Sequence, residues 1–148
     1  MIKNGIFFIC ALFILITPNI FTQDNYNHIA HQNLKRSMDH LIKGDYANAL
    51  KYINESIKFD KNSPISYIIR ARIYFETGEM DKTIADCAAA INLDSSSSTA
   101  YIIRGNAHVK KGDYNKAISD WESALRINPN IEEARQNIEL ARERMSGD

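Results

Sequence analysis

The sequence has few cysteines and prolines, a single tryptophan and no excess of charge of either sign. Eighteen Lys and Arg residues balance eighteen Asp and Glu residues. The chain therefore lacks the positive field that a nucleic-acid backbone attracts, and nucleic acid is not an expected partner. Of the two cysteines, Cys10 lies in a leading apolar run and Cys87 in a helical pattern. No disulfide framework is expected, and Cys87 is expected to be a small buried apolar residue.

Residue patterns that carry chemistry are also missing. The sequence has no nucleophile–base signature, no phosphate-binding glycine loop and no paired metal ligands. His28 and His31 share a helix face, but no cysteine or carboxylate accompanies them as a ligand. His40 and His108 are expected to have structural or surface roles. We therefore predict that the protein is not an enzyme and that it holds no metal or cofactor.

The chain begins with a leader, residues 1–23. Gly5–Ile16 is an uninterrupted apolar run, and Thr17 begins the polar break after it. The run is shorter than the roughly 20 apolar residues that a membrane-spanning helix needs, which favours a cleaved secretory signal. The absence of an A-x-A cleavage site favours an uncleaved signal anchor, and both alternatives stay open. In either case the rest of the chain is expected outside the cytoplasm, in the periplasm, in the cell envelope or secreted. Membrane contact is expected only through this segment, if it is uncleaved.

A repeat of 34 residues organises the remainder of the chain. Gly44, Gly78 and Gly112 stand at this spacing, and each lies between two segments of helical periodicity. Such a period predicts helix pairs that bury their apolar faces against neighbouring pairs. Residues 24–29 are expected to form a polar linker, Asp24–Asn27, and the start of the first helix. No segment alternates with period two, so strands are not expected.

In the unit at 98–131, the first helix has a large residue early, Tyr101, and a small residue at the helix crossing, Gly105. The turn has the Gly-x-Tyr pattern, with Gly112 and Tyr114. The second helix then has Ala117, the aromatic Trp121 and Ala124, and Pro129 follows it. This pattern resembles the tetratricopeptide repeat. The units at 30–63 and 64–97 are degenerate but in phase. A capping helix at 132–145 and a polar tail at 146–148 follow. The resemblance implies an all-α fold, a right-handed α-solenoid of three antiparallel helix pairs plus the cap.

Two arginines depart from the family pattern in an informative way. Arg70 and Arg104 stand where the family usually has leucine, and Asp86 and Asp120 each follow 16 residues later. Because an arginine that faces inward needs a carboxylate, we expect Arg–Asp pairs between the two helices of a repeat or between neighbouring repeats. An anion site made by the two arginines is the less favoured alternative.

The resemblance also implies a binding surface, because the first helices of such repeats line a concave groove. The groove residues that it implies are mostly apolar, and some of these are expected to turn inward to pack: Leu34, Met38, Ile65, Ile68, Ile69, Arg72, Phe75, Ile102, Asn106 and Val109. Arg72 and Asn106 are the central polar groups, which we expect to orient a bound segment. Some members of the family clamp a terminal carboxylate with Lys, Asn and Arg side chains. That clamp is absent here, because its places hold Leu34, Met38, Ile69, Thr99 and Ile103.

We therefore predict an exported protein–protein interaction module. Its partner is expected to be a protein or peptide segment that lays apolar side chains along an apolar concave groove. The chain itself is expected to be a monomer or a weak homodimer. The alternative is a self-associating structural or assembly unit of the cell envelope. The degenerate first repeat, which lacks an N-terminal cap, favours this alternative.

Overall fold

The computed structural model describes the backbone of residues 4–147 and the side chains of residues 22–147. This part of the chain contains seven α-helices and no strands, so the predicted all-α helical repeat is confirmed. The helices are α1 (Asn4–Ile42), α2 (Tyr46–Phe59), α3 (Pro64–Glu76), α4 (Met80–Leu93), α5 (Ser98–Lys110), α6 (Tyr114–Ile127) and α7 (Glu132–Ser146).

The helices pack as successive antiparallel pairs. Helix α1 packs against α2, α3 against α4, and α5 against α6, while each pair also packs against the next and α7 packs against α6. The first helices of the pairs also contact one another, α1 with α3 and α3 with α5. We call α1, α3 and α5 the A helices and α2, α4 and α6 the B helices. The A helices therefore form a continuous layer along the array.

The glycine at the end of each A helix makes the turn between the paired helices. Gly44, Gly78 and Gly112 have φ values of 72°, 83° and 83°, in the left-handed region that a side chain disfavours. The residue after each glycine donates its N–H to a carbonyl in the last turn of the A helix, as Asp113 N does to His108 O at 2.9 Å. These bonds close the helix end, so the 34-residue glycine period corresponds to a repeated helix stop.

The core joins each repeat to the next as well as the helices within a repeat. Ile53 of α2 packs with Ile69 and Ile73 of α3, and Trp121 of α6 packs with Ile138 of α7. Because each apolar cluster spans neighbouring units, the units depend on one another for burial. The expectation that Cys87 is a small buried residue is confirmed, since its side chain is fully buried.

Helix α1 is longer than the sequence predicts. The expected linker at Asp24–Asn27 is instead helical, and α1 runs without interruption from Asn4 to Ile42. No glycine or proline stands between Pro18 and Gly44 to end it, and Gln23 Nε2 donates to Asn27 Oδ1 one turn later at 3.1 Å. Among the residues that the structure describes, none of the helices has the length and apolar character needed to cross a bilayer. The side chains of the leader up to residue 21, and Asp148, lie outside the described residues.

Candidate functional site

A groove crosses the A helices and ends at α7. It consists of three linked cavities, of about 390 Å³ at the α1 end, about 300 Å³ in the middle and about 530 Å³ at the α7 end. Arg72 and Glu76 line both the first cavity and the middle one. Phe75, Asn106 and Glu133 line both the middle cavity and the last one. One extended segment of a partner can therefore contact all three cavities.

The lining of the groove is mixed rather than apolar. Apolar side chains lie along its whole length: Met38, Leu41, Ile42, Ile69, Phe75, Ile102, Ile103, Val109 and Leu140. Charged side chains lie between them, from α3, α5 and α7: Arg72, Glu76, Lys110, Glu133 and Arg144. The resemblance implied apolar contact as the dominant feature. The observed surface alternates apolar patches with both signs of charge.

Arg72 occupies the centre of the groove. Its side chain is exposed, and the described part of the chain provides it with no hydrogen bond or ion pair. The nearest acidic group on the same helix face, Glu76, follows one turn later and lines the same two cavities without pairing with it. An exposed guanidinium between apolar walls is a group that a bound acceptor would satisfy.

Asn106 is held in place by the buried tryptophan of the same repeat. Trp121 Nε1 donates to Asn106 Oδ1 at 3.1 Å, and Trp121 is 3% exposed. Trp121 in turn lies directly against Gly105, where an added Cβ would come within 2.7 Å of Trp121 Nε1. The small residue predicted at the helix crossing therefore allows the indole to reach Asn106. Because Asn106 lines two cavities, this arrangement connects the core of the third repeat to the groove surface.

Three of the residues that the resemblance implies for the groove lie elsewhere. Ile68 is 8% exposed and packs with Ala90 and Ala100, because α4 and α5 meet α3 on that side. Leu34 packs partly buried on the cluster shared by α2 and α3. Ile65 is exposed but lines none of the three cavities. The structure brings the remaining seven together in the groove: Met38, Ile69, Arg72, Phe75, Ile102, Asn106 and Val109.

The sequence reasoning missed the contribution of α7. Four of its side chains line the largest of the three groove cavities in addition to Glu133: Asn137, Leu140, Ala141 and Arg144. As a capping helix, α7 was expected only to cover the core. Its buried residues Ala134, Ile138 and Ala141 do cover the core. The available signal in the sequence was Leu140, an apolar residue outside the helical spacing of Ala134, Ile138 and Ala141, and the structure shows it exposed.

The predicted Arg–Asp pairs are confirmed, and both lie within a repeat. Arg70 Nε and Nη2 donate to the two carboxylate oxygens of Asp86 at 2.7 and 2.8 Å. Arg104 Nε and Nη2 donate to those of Asp120 at 2.9 and 2.7 Å. Hydrogen bonding to these aspartates raises the pKa of both arginines. The carboxylates occupy the guanidinium donors, so the alternative of an anion site made by these two arginines is not favoured.

Two of the histidines, His40 and His108, occupy equivalent positions in the first and third repeats. Each lies near the aspartate at the equivalent position of its own repeat. His40 Nδ1 lies 2.9 Å from Asp45 Oδ2, and His108 Nδ1 lies 3.5 Å from Asp113 Oδ2. Each aspartate is the N-cap of the B helix that follows. His40 therefore links the end of α1 to the start of α2 through a hydrogen bond, whereas the buried Nδ1 of His108 makes no hydrogen bond with the described residues. The four histidines do not converge on a common site.

Two family models agree with this repeat geometry. A model described as tetratricopeptide repeat matches residues 98–131, and a second model with the same description matches residues 65–97. The first unit, 30–63, is matched by neither, in keeping with its degenerate sequence. No curated protein matches the chain by sequence.

Solved domains of the same family superpose closely on the chain. The first TPR of Spaghetti (RPAP3), bound to the HSP90 peptide SRMEEVD, has a TM-score of 0.79 and 23% identity over 81% of this chain and 95% of that one. The Arabidopsis OM64 TPR domain has a TM-score of 0.79 and 21% identity over 80% of this chain and 98% of that one. The second TPR domain of human RPAP3, in complex with the HSP70 peptide SGPTIEEVD, has a TM-score of 0.76 and 26% identity over 79% of this chain and 98% of that one.

Proposed function

Since the chain is a tetratricopeptide repeat protein, we propose that it is an exported module that binds a segment of a partner protein in the groove described above. The observation that carries this proposal is the continuity of the groove. Three cavities share lining residues from α1 to α7, so one extended or helical segment fits along them. Two similar domains are described as bound to HSP90 and HSP70 peptides, which supports a peptide ligand here.

The partner segment differs in chemistry from a clamped acidic terminus. The places of the family's carboxylate clamp hold apolar side chains and a threonine in this chain: Leu34, Met38, Ile69, Thr99 and Ile103. Apolar side chains of the segment would instead contact Met38, Phe75 and Ile102, while Arg72 and Asn106 would bind polar groups and set its register. Apolar contact supplies the affinity in such a surface, and the two polar groups supply specificity.

Selection of peptides on the immobilised protein tests the groove directly. We expect selected peptides to shift the NMR signals of Phe75, Asn106 and Leu140, which belong to three different helices of the groove. Signals of Lys58 and Arg126, on the exposed faces of α2 and α6, should not move. Shifts confined to these B-helix positions would contradict the proposal and assign binding to the opposite face.

Export is the second part of the proposal, and the apolar leader supports it. Fractionation of expressing cells, followed by mass measurement of the protein, tests both alternatives for the leader. Recovery outside the cytoplasm without the leader would indicate a cleaved signal, and recovery of the intact chain in the membrane fraction would indicate an anchor. Intact protein in the cytoplasmic fraction would contradict export.

Self-association is a second candidate function, favoured by apolar side chains exposed at both ends of the groove. Ile42 is 83% exposed at the α1 end, and Leu140 is 51% exposed at the α7 end. Sedimentation velocity at several concentrations separates the two functions. A persistent monomer leaves partner binding as the function, whereas a concentration-dependent dimer that Ile42→Ser removes would favour self-association.

A further inference from the structure

The first repeat breaks the internal symmetry of the Arg–Asp pairs. Arg36 stands 34 residues before Arg70, so it occupies the arginine place of its repeat. The aspartate place, held by Asp86 in the second repeat, is held by Tyr52 in the first. The chain therefore contains three equivalent arginines but only two of the carboxylates that bind them.

Arg36 stacks on the ring of Tyr52, the residue that stands in the aspartate place. Arg70 and Arg104 also stack on tyrosines, Tyr67 and Tyr101, but hold a carboxylate in addition. The Cζ of Arg36 lies 5.7 Å from the centroid of the Tyr52 ring, a distance at which a cation is attracted by the ring face. Arg36 is exposed, and no carboxylate of the described residues lies within ion-pair distance of it. The ring orients the guanidinium while its N–H donors stay open to solvent.

Two further side chains lie around the same ring, and the lysine among them adds positive charge. Lys51 Nζ lies 5.8 Å from the Tyr52 centroid, and the His40 ring stacks on Tyr52 at 5.3 Å. The carboxylate beside this cluster, Asp45, is already occupied, because it accepts hydrogen bonds from Asn48 and lies 2.9 Å from His40. We call Arg36, His40, Lys51 and Tyr52 the first-repeat cation cluster.

We propose that this cluster binds an acidic side chain of a partner protein, with Arg36 as the group that holds its carboxylate. The chain itself provides the geometry, since Arg70 and Arg104 each hold a carboxylate through Nε and Nη2 at 2.7–2.9 Å. A partner Asp or Glu would supply the missing half of the same bidentate pair.

The charge of the first repeat favours an acidic partner surface. Residues 30–63 contain six Lys and Arg against four Asp and Glu, a net charge of +2, whereas residues 64–97 contain three against five, a net charge of −2. The cluster is also separate from the groove, because none of its residues lines the three cavities. Failure of this inference would therefore leave the proposed function untouched.

Titration of the full chain with a hexaglutamate peptide with blocked ends tests the inference. The chain is held in a neutral detergent, and the side-chain Nε–Hε NMR signals of its arginines are followed. We expect a saturable shift of the Arg36 signal, with much smaller shifts for Arg104 and Arg126. Inorganic phosphate at the same ionic strength should shift Arg36 less; a stronger response to phosphate would overturn the assignment to a protein carboxylate.

Two variants separate binding from folding. Tyr52→Asp restores the carboxylate of the other repeats, so it should occupy Arg36 from within the chain and weaken peptide binding at least tenfold while the helical content stays unchanged. Arg36→Gln should abolish the binding, and the matched change Arg126→Gln on the exposed face of α6 should not affect it. The inference would be overturned if folded Tyr52→Asp bound the peptide with the affinity of the wild type. It would also be overturned if the peptide shifted the NMR signals of Arg36 and Arg126 equally.

Discussion

The Arg104–Asp120 pair provides the most direct test of how charge is accommodated between the helices of a repeat. The substitution Arg104→Leu places the residue that the family usually has at this position and leaves the carboxylate of Asp120 behind. Asp120 has a side chain that is 8% exposed, and the guanidinium donates to both of its oxygens. The substitution therefore removes both of these bonds and leaves a charge inside the helix pair.

The magnitude follows from the burial of the two partners. Removing one partner of a buried, hydrogen-bonded pair costs about 3–5 kcal/mol. The side chain of Arg104 is 23% exposed, so solvent reaches it and the lower end of that range applies. We expect the free energy of unfolding to fall by about 3 kcal/mol. The double variant Arg104→Leu/Asp120→Leu should recover most of this loss, because no buried charge remains.

Urea unfolding followed by far-ultraviolet circular dichroism measures both variants. Arg126→Leu serves as the control, since Arg126 is exposed and forms no ion pair among the described residues, and its effect should stay within about 0.5 kcal/mol. A neutral or stabilising Arg104→Leu would refute the reasoning. So would a double variant that is as unstable as the single one, because the loss would then come from packing rather than from the stranded carboxylate.

Three further predictions concern packing, the buried thiol and the leader. Gly105→Ala should lower the free energy of unfolding by about 1–3 kcal/mol, because the new Cβ would lie 2.7 Å from Trp121 Nε1; unchanged denaturation and tryptophan fluorescence would contradict this. Burial excludes solvent from Cys87 and raises the pKa of its thiol to about 12. In a Cys10→Ser background, Cys87 should therefore react with Ellman's reagent at pH 8 only after unfolding. Rapid labelling of the native protein would show this expectation to be wrong. A chain that starts at Asp24 should be soluble and helical by circular dichroism, and insolubility that residues 20–23 rescue would count against a separable leader.

The repeats could be predicted because their signals are local and recur. The turn at the end of each A helix has a left-handed φ, which favours glycine. This turn occurs three times, once in each 34-residue repeat. The Arg–Asp pairs were predictable because the same 16-residue separation occurs in two repeats. Arg36 could not be predicted in the same way, because Tyr52 stands in place of the aspartate and the contact of Arg36 with that ring depends on how α1 packs against α2.

The orientation of the apolar groove residues could not be predicted, because it depends on how the A helices cross. Ile68 and Phe75 lie seven residues apart on α3, and both belong to the face that the family resemblance assigns to the groove. Helices α4 and α5 cover Ile68, whereas Phe75 stays partly exposed and lines two cavities. The extent of α1 was also missed, since polar composition alone does not end a helix, and no glycine or proline stands between Pro18 and Gly44.

Substitution of Arg72 tests the groove as the working surface of the protein most directly. Arg72 is exposed at the centre of the groove and makes no ion pair within the described part of the chain. Arg72→Glu should therefore leave the melting temperature nearly unchanged, as surface substitutions usually do. It should weaken binding of a selected peptide, measured by fluorescence anisotropy, by more than tenfold through a misplaced charge. Lys61→Glu, in the exposed loop between α2 and α3, should change neither quantity. Equal peptide affinity of the wild type and Arg72→Glu would contradict the account and assign binding to another face.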